Sequence, residues 1–209
     1  MACEERLQGE YGRLLREASA HFAGKSGVYQ TLLNLARRLD EEGISYAVIG
    51  GMALGKHGFA RMTEDVDVLM TADGLAAFLA RCVGQGYVPA FAGARKSFRD
   101  IETQVRIEVI TTGEYPGDGK PKPVVFPDPA EASVEVEGVH VVTLEKLIEL
   151  KLASGMSAPH RLRDLADVQD LISTLGLPAE FAERLDASVR DEYWRLWQMV
   201  QDARIASNE

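Results

Sequence analysis

Two aspartates one residue apart, Asp65 and Asp67, lie in the stretch TEDVDVLM of this 209-residue chain. On a β-strand alternate side chains share a face, so both carboxylates project together with Cα atoms about 7 Å apart. Val66 and Val68 then turn the other way, into a core. Neighbouring carboxylates repel, and a hard divalent cation such as Mg²⁺ or Mn²⁺ relieves the repulsion through oxygen ligands. Upstream, Gly50 and Gly51 follow the apolar run YAVI. A glycine pair between a strand and a helix lets backbone N–H groups come close to a phosphate. A phosphate cradle beside a divalent-metal site is the equipment for handling a nucleoside triphosphate.

Hydropathy periodicity supplies the elements that must hold these residues. A strand over 46–49, a short helix over 52–57 and a second strand carrying Asp65 and Asp67 frame the glycine pair. Two helices precede it, over 4–20 (Leu7, Tyr11, Leu14, Leu15, Ala18) and 28–42 (Leu32, Leu35, Ala36, Leu39), the second stopping at Gly43. A helix over 75–83, capped by Thr71 and Asp73, follows the acids. Strands are expected over 87–91, 98–103 and 104–110, the last alternating Val105, Ile107 and Val109 with Arg106 and Glu108. Residues 112–129 are rich in Gly and Pro and carry Lys120 and Lys122, a loop long enough to suspect a function. A hairpin over 134–142 leads to a helix capped by Thr143. Further helices are expected over 159–175 and from 178 onward. The pattern is α+β: a mixed sheet of five or six strands with flanking helices and a C-terminal helical region. It divides into N-terminal helices (1–43), an α/β core (44–142) and the helical region (143–209).

The net charge of −9, with 23 basic and 32 acidic residues, argues against a general phosphate-backbone binder, which needs a basic face. A small local basic groove stays open. Cys3 and Cys82 lack metal-ligand spacing and read as free thiols in a reducing compartment. With no apolar run of membrane-spanning length and no signal-like N-terminus, a cytoplasmic protein without a membrane partner is expected.

Ile49-Gly50-Gly51 followed by Asp65-Val66-Asp67 resembles the DNA polymerase beta-like nucleotidyltransferase superfamily, whose signature is hydrophobic-Gly-Gly/Ser and then Asp-x-Asp/Glu. The preceding Arg61-x-Thr63 looks like the minimal, toxin-like branch that includes the AbiEii-type proteins. That family places a third carboxylate on a later strand. Glu108 in VRIEVI fits best, with Asp100 and Glu102 as weaker candidates, although many members carry Asp there. A second block, Leu150-Lys151-Leu152-Ala153 with Arg161-x-Arg163-Asp164-x-x-Asp167, is similar to the family's Lys helix and Arg-Asp-x-x-Asp helix.

The resemblance implies that Asp65, Asp67 and Glu108 hold two Mg²⁺ or Mn²⁺ ions about 4 Å apart. Gly50, Gly51 and Lys151, with Arg61, Thr63 and Asp164, would form the nucleotide site, Asp164 and Asp167 orienting it. The implied reaction transfers NMP from an NTP to an acceptor hydroxyl and releases pyrophosphate. The acceptor is open among tRNA, a protein and a small molecule, and a cognate antitoxin is an implied partner. Two rivals remain. One is a catalytically silent NTP binder in a toxin–antitoxin or sensor pair. The other is a P-loop NTPase, since Gly50, Gly55 and Lys56 give G-x-x-x-x-G-K, but His57 stands where Ser or Thr should hold Mg²⁺. His57 and His160 read as structural, and Trp194 and Trp197 as helix packing.

Overall fold

The computed structural model describes Ala20 and residues 25–206. The helix expected over 4–20, and Cys3, therefore lie outside the described residues, Ala20 apart. Helix α1 (Gly27–Glu41) begins where Ser26 Oγ accepts the Tyr29 N–H, and it buries Leu32, Leu35, Ala36 and Leu39 on one stripe. The chain then runs through β1 (Tyr46–Val48), α2 (Gly50–Lys56), β2 (Asp65–Met70) and α3 (Ala72–Arg81). Thr71 caps α3 by accepting the Gly74 N–H. Next come β3 (Tyr87–Pro89), β4 (Ser97–Asp100) and β5 (Arg106–Thr111), then the short α4 (Pro129–Ala132) and the hairpin β6 (Ser133–Val136) and β7 (Val139–Val142). Helices α5 (Leu144–Ser157), α6 (Leu162–Leu175) and α7 (Arg190–Ala206) complete the fold. A 3₁₀ turn, Pro159–Arg161, joins α5 to α6.

The sheet has seven strands in the order β3-β4-β5-β2-β1-β7-β6, against five or six expected. The expected strands at 87–91 and 98–103 prove shorter. Asp100 ends β4 because its carboxylate accepts the N–H groups of Glu102 and Thr103, turning the chain before β5. At the centre of the sheet β2 pairs antiparallel with β1 and parallel with β5.

Helices α1 and α3 pack against β2, where Val66, Val68, Ile107 and Phe98 are wholly buried. The same hydrophobic cluster continues through Leu147 and Ile148 of α5 to Leu171 of α6 and Tyr193 of α7. No helix of the described residues is long and apolar enough to cross a membrane.

Candidate active site

The acids come first. Asp65 and Asp67 alternate with the buried Val66 and Val68 along β2, so their side chains share the face away from that packing. The parallel register sets Asp67 directly beside Glu108 of β5, and Asp65 beside Arg106. In-register neighbours point to the same side of a sheet, so Asp65, Asp67 and Glu108 share one face, as expected. Arg106 forms an ion pair with Glu108. Glu108 Oε1 is nonetheless buried and accepts no hydrogen bond of good geometry.

The glycine pair is fitted to these acids. Gly50 has φ of +64°, and a Cβ built on it would lie 2.1 Å from Asp67 Oδ2. No side chain fits there. At Gly51 a Cβ would lie 2.8 Å from Cβ of Thr63. The Ile49 N–H donates to the Asp67 carbonyl, pinning the entry to α2 against β2. Thr63 Oγ1 donates to Asp65 Oδ1 at 2.9 Å and so fixes that carboxylate.

Burial is the largest cause pushing the Asp67 carboxyl up, to about 7, with the charges of Asp65 and Glu108 adding to it. Lys151 and Arg161 pull the other way without restoring the ordinary value. Among the described residues no three His, Cys, Asp or Glu side chains already close around a metal position. Glu108 is drawn instead to Arg106 on its own strand. The donor set still suits a hard divalent cation: three carboxylates share a face, and burial together with the neighbouring acids raises Asp67, a cost that a bound cation would relieve.

The second sequence block forms a buried network. Lys151, on α5, donates to Asp167 at 2.6 Å and to Asp164 at 3.0 Å, both on α6. Ser154 Oγ donates to the other Asp164 oxygen. Arg61 clamps Asp167 bidentately, Nε to Oδ1 at 2.7 Å and Nη2 to Oδ2 at 3.0 Å. Lys151 and Asp167 are only 6% and 2% exposed. Arg61 thus ties the segment before β2 to α6, and Arg163 is exposed.

A cavity of about 290 Å³ joins the two groups. Gly50, Asp67, Lys151, Asp164 and Arg161 line it, as do Tyr115 and Phe126 from the 112–129 segment. That segment is docked. Lys122 Nζ donates to Pro116 O, Asp118 and Ser157, bracing the turn against α5, and Gly117 leaves no room for a side chain beside Ser157. Lys120 projects into solvent.

Glu114, Tyr115, Phe126 and Ser154 are cavity residues that sequence reasoning did not single out, and Arg161 stood in the second motif block without a role of its own. The position of Arg161, two residues before Arg163-Asp164, was the available signal. Asp100 caps its turn and Glu102 is exposed, so neither joins the acid face. Lys56 is engaged by Glu137 at 2.6 Å, and the His57 ring meets the Val142 carbonyl at 2.7 Å. Trp194 and Trp197 donate to the Ala179 and Leu177 carbonyls.

A family model described as the nucleotidyl transferase AbiEii toxin of type IV toxin–antitoxin systems matches residues 34–206. The chain belongs to the AbiEii nucleotidyltransferase family. No curated protein sequence matches it. Two solved structures of the antibiotic-resistance factor ANT(2″)-Ia resemble this AbiEii-family chain at 17% identity. The solution structure, described as showing substrate-regulated conformation dynamics, has a TM-score of 0.52 over 82% of this chain and 96% of its own. The crystal structure with adenylyl-2″-tobramycin also has a TM-score of 0.52, over 78% and 97%. An antigenic nucleotidyltransferase-like protein from Paracoccidioides brasiliensis matches at 19% identity and a TM-score of 0.45, over 68% of this chain and 74% of its own. The likeness to the two ANT(2″)-Ia structures shows the nucleotidyltransferase fold.

Proposed function

We propose that this AbiEii-family chain is a divalent-metal-dependent nucleotidyltransferase. It moves NMP from an NTP onto an acceptor hydroxyl, releases pyrophosphate, and serves as the toxin of a pair completed by a cognate antitoxin. The observation that carries the reading is the placement of Asp67, in register with Glu108 on the neighbouring strand and against the bare backbone of Gly50. Asp65, Asp67 and Glu108 are the residues to hold Mg²⁺ or Mn²⁺, which when bound would neutralise triphosphate charge and lower the acceptor hydroxyl's pKa.

The rest is done by the chain. Gly50 and Gly51 keep side chains away from the phosphates, so the α-phosphorus can come close to the acid face. Thr63 holds Asp65 in orientation, and Arg61 with Asp167 holds Lys151 at the cavity wall. Glu108, next to Asp67 in the register, would take the acceptor's proton. Catalysis here is positioning and charge neutralisation, as in other phosphoryl transfers.

The test is incubation with each α-labelled NTP, Mg²⁺ or Mn²⁺, and a pool of total RNA and lysate protein. Label transferred by wild type, and lost in Asp65→Asn with the fold intact by circular dichroism, is the expected result. Equal transfer by a folded Asp65→Asn, Asp67→Asn double variant would overturn it. Thermal stabilisation by NTP with no turnover would instead identify a silent NTP binder.

A further inference from the structure

We infer that Arg161, rather than Lys151, is the cation that grips the terminal phosphates of the incoming triphosphate, an assignment that rests on the nucleotidyltransferase reading above. Lys151 is electrically occupied. Its ammonium donates to both Asp164 and Asp167, while Arg61 shares Asp167. Two cations and two anions close that network at zero net charge. An ammonium between two buried carboxylates has little attraction left for a third anion.

Arg161 shares the cavity wall with Lys151 but differs in burial and in pairing. It lines the same cavity as Gly50 and Asp67. Its side chain is exposed, and among the described residues its guanidinium has no carboxylate partner. It stands on the 3₁₀ turn Pro159–Arg161 between α5 and α6. A planar guanidinium donates two parallel N–H bonds to a phosphate, which suits it to a β- or γ-phosphoryl group. Cavity position, free charge and fork geometry together define a phosphate subsite in the cavity that Gly50 also lines.

The probe is inorganic tripolyphosphate with Mg²⁺, which carries the phosphates without a base. Binding to wild type, Arg161→Ala, Arg161→Lys and Arg163→Ala is measured by calorimetry. Arg163 is the control because it is exposed, near in sequence and absent from the cavity wall. The expected result is about a tenfold or larger rise in Kd for Arg161→Ala, partial recovery in Arg161→Lys and no change in Arg163→Ala. For NTP substrates, the KM of Arg161→Ala should rise in the same proportion.

An unchanged Kd in Arg161→Ala, an equal loss in Arg163→Ala, or no tripolyphosphate binding by wild type would overturn the assignment. Label transfer by wild type, scored separately, decides the underlying reading. Transfer with an unchanged Arg161→Ala Kd defeats the subsite alone. Weakened binding without any transfer keeps the subsite and defeats the enzyme.

Discussion

Two clusters of charge contribute to the wall of one cavity, and their chemistry is opposite. Around Lys151 every charge has a counter-charge: Arg61 meets Asp167, and Lys151 meets Asp164 and Asp167 at hydrogen-bond distance. On the β2–β5 face three acids have one cation between them, Arg106 on Glu108, and the Asp67 carboxyl is pushed up to about 7. The first arrangement is satisfied and therefore structural. The second is unsatisfied, and a fold keeps such frustration where a ligand resolves it. Substitutions should separate the two, costing the fold on the Lys151 side and activity on the Asp67 side.

The largest effect is expected at the acid face. Asp67→Asn keeps the shape of the side chain and removes its charge. NMP transfer should fall on the order of 10³-fold or more, with unfolding midpoints at pH 8 equal to or above wild type. A folded Asp67→Asn with wild-type transfer would erase the distinction between the clusters.

On the balanced side the expected loss is of stability. Asp167→Ala leaves Arg61 and Lys151 without their shared anion. Breaking a buried charge network in this way costs about 3–5 kcal/mol, read as a lowered urea midpoint. Loss of transfer with undiminished stability would show that Asp167 serves the chemistry and not the scaffold.

How much of this was legible beforehand follows the range of the interactions. The acid pair, the glycine pair and the alternation at Glu108 are local patterns, and each has one physical reading as a strand or a turn. Their convergence needed one further step, the parallel pairing of β5 with β2, whereas the family resemblance implied only a third carboxylate on a later strand. The Arg61–Asp167 clamp joins residues 106 positions apart, and no local rule reports such a contact. Lys151 shows the same limit, since an apolar helix stripe reveals a buried lysine but not the two acids that occupy it. The docking of the 112–129 segment depends on Lys122 reaching Ser157. In the sequence that lysine was equal to Lys120, which stays in solvent.

Proton linkage sharpens the comparison further. The unfolded reference for Asp67 is about 3.9, below its folded value of about 7. Between pH 4 and 7 the native state therefore binds more protons than the unfolded one, and stability falls as pH rises through that window. The fall attributable to Asp67 is about 2–4 kcal/mol in protein stripped of divalent ions. Asp67→Asn should flatten the slope, and Mg²⁺ or Mn²⁺ at pH 8 should restore the lost stability. A slope unchanged in Asp67→Asn would assign the pH dependence elsewhere.

Gly50→Ala tests the fit of backbone to acid. Its Cβ would overlap Asp67 Oδ2, and its φ of +64° is unfavourable for alanine, so about 1–3 kcal/mol of stability should be lost. Displacing Asp67 by a fraction of an ångström should also cut transfer by about 10²-fold. Because Gly50 carries no charge, the loss should persist at every pH, unlike that of an acid variant.

Thr63 is where the smallest change is expected and where the two kinds of role meet in one side chain. Its carbon atoms close on Gly51, while its hydroxyl orients Asp65. Thr63→Val retains the packing shape and deletes one hydrogen bond, costing about 0.5–1.5 kcal/mol. Thr63→Ser does the reverse, keeping the bond and opening a small gap beside the glycine. If Asp65 works through its orientation, kcat should drop several-fold in the valine variant and hold near wild type in the serine variant, with KM similar in both. Equal kcat values in the two would mean that packing on Gly51, and not the Asp65 hydrogen bond, is what Thr63 contributes.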